Sequence, residues 1–169
     1  MIGMKPRFFF YILPFTFYIL SGCYSFTGSS IPSHLHTIGI PLAGDNSGFG
    51  QSNVRQDLTT QLVTKFTRDG SLQVRDRSIS DATLEVTITT ISDQPVAVRA
   101  NDQLTNKRVT ISVEATYRDQ KKQKTIWERS FQQSSDYPIS GGLDALTSAL
   151  KNAEDKLSDD LLLGVISNW

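Results

Sequence analysis

Apolar and polar residues alternate most regularly between positions 109 and 118. Val109, Ile111, Val113, Ala115 and Tyr117 fall on one side, and Thr110, Ser112, Glu114, Thr116 and Arg118 on the other. A period of two predicts a strand, and a single apolar side predicts an antiparallel sheet with one covered face. Residues 82–91 (ATLEVTITTI) repeat the pattern with Leu84, Val86 and Ile88 facing one way. Ile91 falls out of phase, which predicts a bulge near Thr90. After the DQKKQK turn, residues 125–132 place Trp127 and Phe131 on one face and close a hairpin with the strand before. Residues 34–42 read as a first strand ending near Pro41, and residues 72–74 as a short extended piece.

The period lengthens in two segments. Val54, Leu58, Leu62 and Phe66 recur every four residues, the stripe of an amphipathic helix. Asn53 reads as its N-cap with Gln56 as capping-box partner, and Gly70 as the residue that ends it. Ser140-Gly141-Gly142 opens a second helix, in which Leu143, Leu146, Leu150, Ala153, Leu157 and Leu161 step by three and four. Lys151, Glu154, Asp155, Lys156, Asp159 and Asp160 fill its expected solvent side. Residues 43–52, with three glycines, read as a loop, as do the mostly polar residues 92–107. Trp169 is expected to pack back onto the domain. The order β-α-(β)-β-β-β-α predicts an α+β two-layer sandwich: two helices on one face of a mainly antiparallel, four-stranded mixed sheet.

The N-terminus departs from all of this. Lys5 and Arg7 are the only charges before Asp45, and the 13 residues 8–20 are apolar or aromatic except Pro14 and Thr16. A spanning helix needs about 20 apolar residues, so the run is short for a permanent anchor and reads as a secretory signal. It ends in Leu20-Ser21-Gly22-Cys23, which resembles the bacterial lipobox: small residues before the cut between Gly22 and Cys23, then a thiol that takes a diacylglycerol and an amine that is acylated. Residues 1–22 are therefore expected to be a signal peptide, residues 23–33 the lipidated Cys and a Ser/Gly-rich linker, and residues 34–169 a single α/β domain. Tyr24, rather than Asp, after the Cys favours the outer membrane, on its periplasmic side.

Composition narrows the function. Lys plus Arg is 17 and Asp plus Glu is 17. Losing Lys5 and Arg7 with the signal leaves a slightly acidic chain of 147 residues, which argues against a nucleic-acid binder. The single Cys allows neither an intrachain disulfide nor a Cys-based zinc site. His34 and His36 form an H-x-H pair, but no acidic partner is apparent nearby, and a solvated pair at a strand edge is the expectation. Gly44, Gly48 and Gly50 punctuate a loop without a G-x-G-x-x-G or Gly-Lys-Ser/Thr pattern. No nucleophile elbow is present. No catalytic residue, metal site or cofactor is predicted. The remaining candidates are cationic. Lys107 and Arg108 begin the clearest strand, with Arg99 in the loop before them, and Lys121, Lys122 and Lys124 sit at the other end of the hairpin. Either group could pair with the phosphates of an anionic ligand.

The lipobox at Cys23, followed by YSFTGSSIPSHLHTIGIPL, DNSGFG, VRQDLTTQL, DATLEVTITTISDQP, KRVTISVEATYRD, WERSF and a closing helix, resembles the LptE-type lipopolysaccharide-assembly lipoproteins in a Bacteroidota/Chlorobi-like form. The resemblance covers nearly the whole chain and rests on the order of short motifs. It implies a non-enzymatic outer-membrane lipoprotein that partners the large β-barrel LptD, plugs it, aids its assembly and helps deliver lipopolysaccharide to the outer leaflet. In enterobacterial members of that family basic residues are implicated in lipopolysaccharide contact; Arg99, Lys107 and Arg108 are the candidates here, on charge alone. The alternative is a periplasmic lipoprotein adaptor that docks on a cell-wall synthase or a secretion component, to which the strand-helix-strand opening is also similar. A hydrolase has no supporting constellation.

Overall fold

The computed structural model describes residues 31–50, 53–96 and 105–167. Cys23 with its signal and linker, Arg99 and Trp169 lie outside the described residues. The chain runs β1 (Thr37–Gly39), β2 (Gly44–Asp45), α1 (Val54–Asp69), β3 (Gln73–Arg75), β4 (Ala82–Val96), β5 (Asn106–Asp119), β6 (Lys124–Pro138) and α2 (Gly142–Ile166), with single helical turns at Arg77–Ile79 and Ile139–Gly141.

The three long strands pair antiparallel, β4 with β5 and β5 with β6. The short ones pair parallel: β1 lies between β3 and β4, and β2 joins the outer edge of β4. The sheet is mixed, as expected, but it has six strands rather than four. The first strand is only three residues long, and the loop after it contains the two-residue β2. The long strands also outrun their apolar pattern. β4 continues past Ile91 to Val96 and β6 past Gln132 to Pro138, so most of the polar stretch after Ser92 is strand, not loop. Pairing with β5 holds these polar ends, and Pro95 sits where β4 has no strand on its other side, the place a sheet tolerates proline. The bulge falls where the phase break put it. Register shifts between Ile88 and Thr90, and the Thr89 hydroxyl donates to the Ser112 carbonyl at 3.1 Å.

Both helices cover the apolar face. Leu84, Val86, Ile88, Val109, Ile111 and Val113 meet Leu58, Leu62 and Phe66 of α1 and Leu150, Leu157 and Leu161 of α2 in one buried core. Gly70 ends α1 in the left-handed region (φ 74), as read. Asn53 does not cap through its side chain, because its own backbone is already helical (φ −91, ψ −18) rather than extended. On α2 the apolar stripe needs two corrections. Leu143 is 66% exposed, because the first turn of α2 lies beyond the end of β6, whereas Glu154 is only 1% exposed. α1 lies beside α2 and covers that side, so the face read as solvated is partly a helix–helix contact.

Candidate functional site

The hairpin of β5 and β6 has two ends and two faces, and the cationic candidates divide among them. Lys107 and Arg108 are adjacent in β5, so the pleat sends them to opposite faces. Lys107 is on the helix-covered face. Its ammonium lies 2.8 Å from Asp93 Oδ2, and Tyr137 donates its hydroxyl to Asp93 Oδ1 at 2.7 Å. These three residues line a cleft of about 250 Å³ with Ile139, Gly142, Leu143 and Leu146. Burial first, then the hydrogen bond and charge of Asp93, push the Tyr137 phenol up to about 12. Arg108 is on the open face and grips Asp136 with two parallel bonds, Nε to Oδ1 at 2.5 Å and Nη2 to Oδ2 at 2.8 Å. Each partner stabilises the other's charge, which raises the Arg108 pKa and lowers that of Asp136. The two candidates thus share one end of the hairpin but not one site, and each holds its own carboxylate. Sequence reasoning missed both partners. Asp136 stands opposite Arg108 in register, a pairing hidden once β6 is ended at Gln132.

The opposite end corrects the expectation for His34. It is not a solvated residue without an acid: His34 Nε2 lies 2.5 Å from Asp119 Oδ2, a partner 85 positions away in sequence. Burial pushes the Asp119 carboxyl up, but His34 and the Lys122 backbone N–H, at 2.8 Å, more than offset it and hold the group below its ordinary value. Lys121 completes a clamp. Its ammonium lies 2.8 Å from Asp81 Oδ1 and donates to the His34 carbonyl at 3.0 Å. Asp81 also accepts the backbone N–H groups of His36 (2.8 Å) and Thr37 (3.1 Å). Lys121 first, then the His36 N–H, keep its carboxyl far below the usual range. Residues 34–37 are therefore fastened to the starts of β4 and of the hairpin turn. No group of three metal-ligating side chains occurs among the described residues.

Between the two ends lies the open face of β4, β5 and β6. It presents Thr87, Thr90 and Ser92 from β4, Thr110, Ser112, Glu114 and Thr116 from β5, and Glu128, Ser130, Gln132 and Ser134 from β6. All are half-buried or exposed. This is a broad hydroxyl- and amide-rich surface of the kind that meets a wet partner. Among the described residues, no helix is long and apolar enough to cross a membrane.

Comparison with known proteins places this architecture. The chain matches a solved DUF330 protein from Xanthomonas campestris with a TM-score of 0.61 at 15% identity, covering 82% of this chain and 90% of that one. It matches a hypothetical protein from Chlamydia trachomatis with a TM-score of 0.58 at 7% identity, covering 78% and 95%. The PelC dodecamer subunit of Paraburkholderia phytofirmans gives 0.54 at 10% identity, covering 84% and 96%. At such identities these likenesses establish the fold alone. No curated protein sequence matches the chain. The family profile described as LptE, lipopolysaccharide-assembly, matches residues 35–163, from the segment clamped by Asp81 and Asp119 almost to the end of α2. With sheet, helices and motif order all in agreement over that span, the chain belongs to the LptE lipopolysaccharide-assembly family.

Proposed function

We propose that the chain is an outer-membrane lipoprotein, held on the periplasmic side through an acylated Cys23, that partners a large β-barrel of the LptD type. It occupies the barrel as a plug, aids its assembly and helps deliver lipopolysaccharide to the outer leaflet. It acts through binding, without catalysis or cofactor. The family match over residues 35–163 carries this reading, because it spans nearly the whole folded unit rather than a short motif. The open face of β4–β6 supports it. Water-filled membrane barrels are polar inside, and a plug must offer polar side chains to that wall. Lys107 and Arg108, at the end of the hairpin away from its turn, and Arg99 are the contacts for the anionic lipid. A phosphate there would compete with Asp93 for Lys107 and with Asp136 for Arg108.

Depleting the chain in its own cells tests the reading. Lipopolysaccharide or lipooligosaccharide should become stranded in the periplasm and fall at the surface. Undiminished surface display would overturn it. It would favour the runner-up, an adaptor docking on a cell-wall synthase or a secretion component, which the fold shared with a PelC dodecamer keeps in view.

A further inference from the structure

The chain enters the fold at the hairpin-turn end, and that end has the character of a membrane-facing surface. Pro32, Ser33 and His34 line a cleft of about 450 Å³ together with Asp119, Lys122, Lys124 and Ile126. The Arg77–Ile79 turn is at the same end, because Ala82 stands opposite Asp119 and the Gln120 N–H donates to the Asp81 carbonyl at 2.8 Å. Two large apolar side chains are exposed there, Ile79 at 71% and Ile126 at 39%. Of the turn cations, Lys121 is spent on Asp81, and Asp119 is held by His34. Among the described residues, neither Lys122 nor Lys124 has a carboxylate within ion-pair distance, and the Lys122 charge reaches Asp119 only from further away. Exposed aliphatic side chains at the same end as two exposed ammonium groups fit a headgroup layer, where the stems meet acyl boundaries and the charges meet phosphates.

We propose that this end docks on anionic phospholipid headgroups, with Lys122 and Lys124 on the phosphates and Ile79 and Ile126 toward the acyl boundary. The proposal rests on the lipoprotein reading. Only seven residues, Tyr24 to Ser30, separate the acylated Cys from Ile31, a distance of eight Cα steps. A chain of that length spans at most about 28 Å. The clamp of Asp81, Asp119 and Lys121 on residues 34–37 prevents the entry segment from peeling away to lengthen the tether. The turn is thus held near the bilayer, while the cleft of Lys107 and the start of α2 lie at the other end of the hairpin. The acyl chains on Cys23 hold the chain to the bilayer but leave the folded unit free to turn about the tether, and an electrostatic contact at this end fixes its orientation.

The test uses the full-length protein, processed and purified from its own outer membrane. It is reconstituted in nanodiscs of phosphatidylcholine alone or of phosphatidylcholine and phosphatidylglycerol in equal parts. Hydrogen exchange of residues 119–124 should slow severalfold in the anionic discs relative to the neutral ones, with residues 139–146 unchanged. High salt should abolish the difference in the wild-type chain. The double substitution Lys122→Glu and Lys124→Glu should abolish it too. Equal exchange in the two discs, or protection that survives high salt, overturns the proposal. Intact mass of the same sample separates the two failures: acylated protein without protection defeats only the docking surface. Protein without acyl groups defeats the lipoprotein reading, and the docking surface with it.

Discussion

Gly70 and Gly39 show two different reasons for a glycine. Gly70 has φ 74, and a Cβ built there would meet nothing within 4 Å. A side chain at Gly70 therefore costs backbone conformation alone, and Gly70→Ala is expected to destabilise by about 1 kcal/mol, with Gly70→Asn milder, read from thermal unfolding. At Gly39 the problem is space: a Cβ would fall 2.7 Å from Ser80 Oγ and 2.8 Å from Arg77 Cα. The latter is backbone and cannot swing aside, so Gly39→Ala should cost more than Gly70→Ala in the same experiment. The first glycine is legible in the sequence because it directly follows a helical stripe. The second is not, because its neighbour arrives by a fold-level turn 38 positions later. Long-range polar pairs hide for the same reason, His34 with Asp119 above all. Arg108→Ala breaks a solvent-exposed pair and should leave thermal stability almost unchanged. Loss of lipopolysaccharide from the purified Arg108→Ala complex would therefore report binding rather than unfolding, and full retention would remove Arg108 from the candidates.

At the scale of elements, the contact between α1 and α2 carries an acid that its helix pattern misassigns. Glu154 reads as solvated from α2 alone, yet α1 covers it, and Gln61 Nε2 donates to Glu154 Oε2 at 3.1 Å. Among the described residues the buried Gln61 Oε1 finds no hydrogen-bond partner. Burial first, then the negative charge of Asp57 on α1, push the carboxyl up to about 8, against a partial offset from Lys151. Below the ordinary value near 4.5, folded and unfolded chains both hold the proton and this contribution is intact. Between the two values only the fold keeps the proton, so stability falls as pH rises through that window and levels off above about 8. Glu154→Gln should flatten this dependence, gaining about 2 kcal/mol over the wild type at alkaline pH and little in acid. Denaturant titrations across the window check it, and identical pH profiles for the two chains would contradict a buried proton. The long antiparallel strands illustrate the converse. Val109–Tyr117 was legible because a one-sided core writes an alternating pattern. The polar ends of β4 and β6 were not, because pairing rather than burial holds them in the sheet.

For the whole molecule, the class and layer arrangement follow from periodicity, but the sheet order does not. β1 between β3 and β4, in parallel, and β2 on the outer edge of β4 depend on segments of two or three residues, too short to carry a pattern. What periodicity does disclose is the asymmetry on which function turns: one face sealed by two helices, and the other bare and polar. If that bare face is the plug surface, a photo-crosslinker at Ser112 or Ser130 should trap the barrel, and one at Arg68, on the solvent side of α1, should not. Affinity purification of the chain from the membranes of its own cells, in mild detergent and without crosslinking, asks the decisive question. One large β-barrel should come down in equal proportion to the chain. Recovery of the lipid-anchored chain alone, as a ring of its own copies, or with a cell-wall synthase would contradict the proposed function.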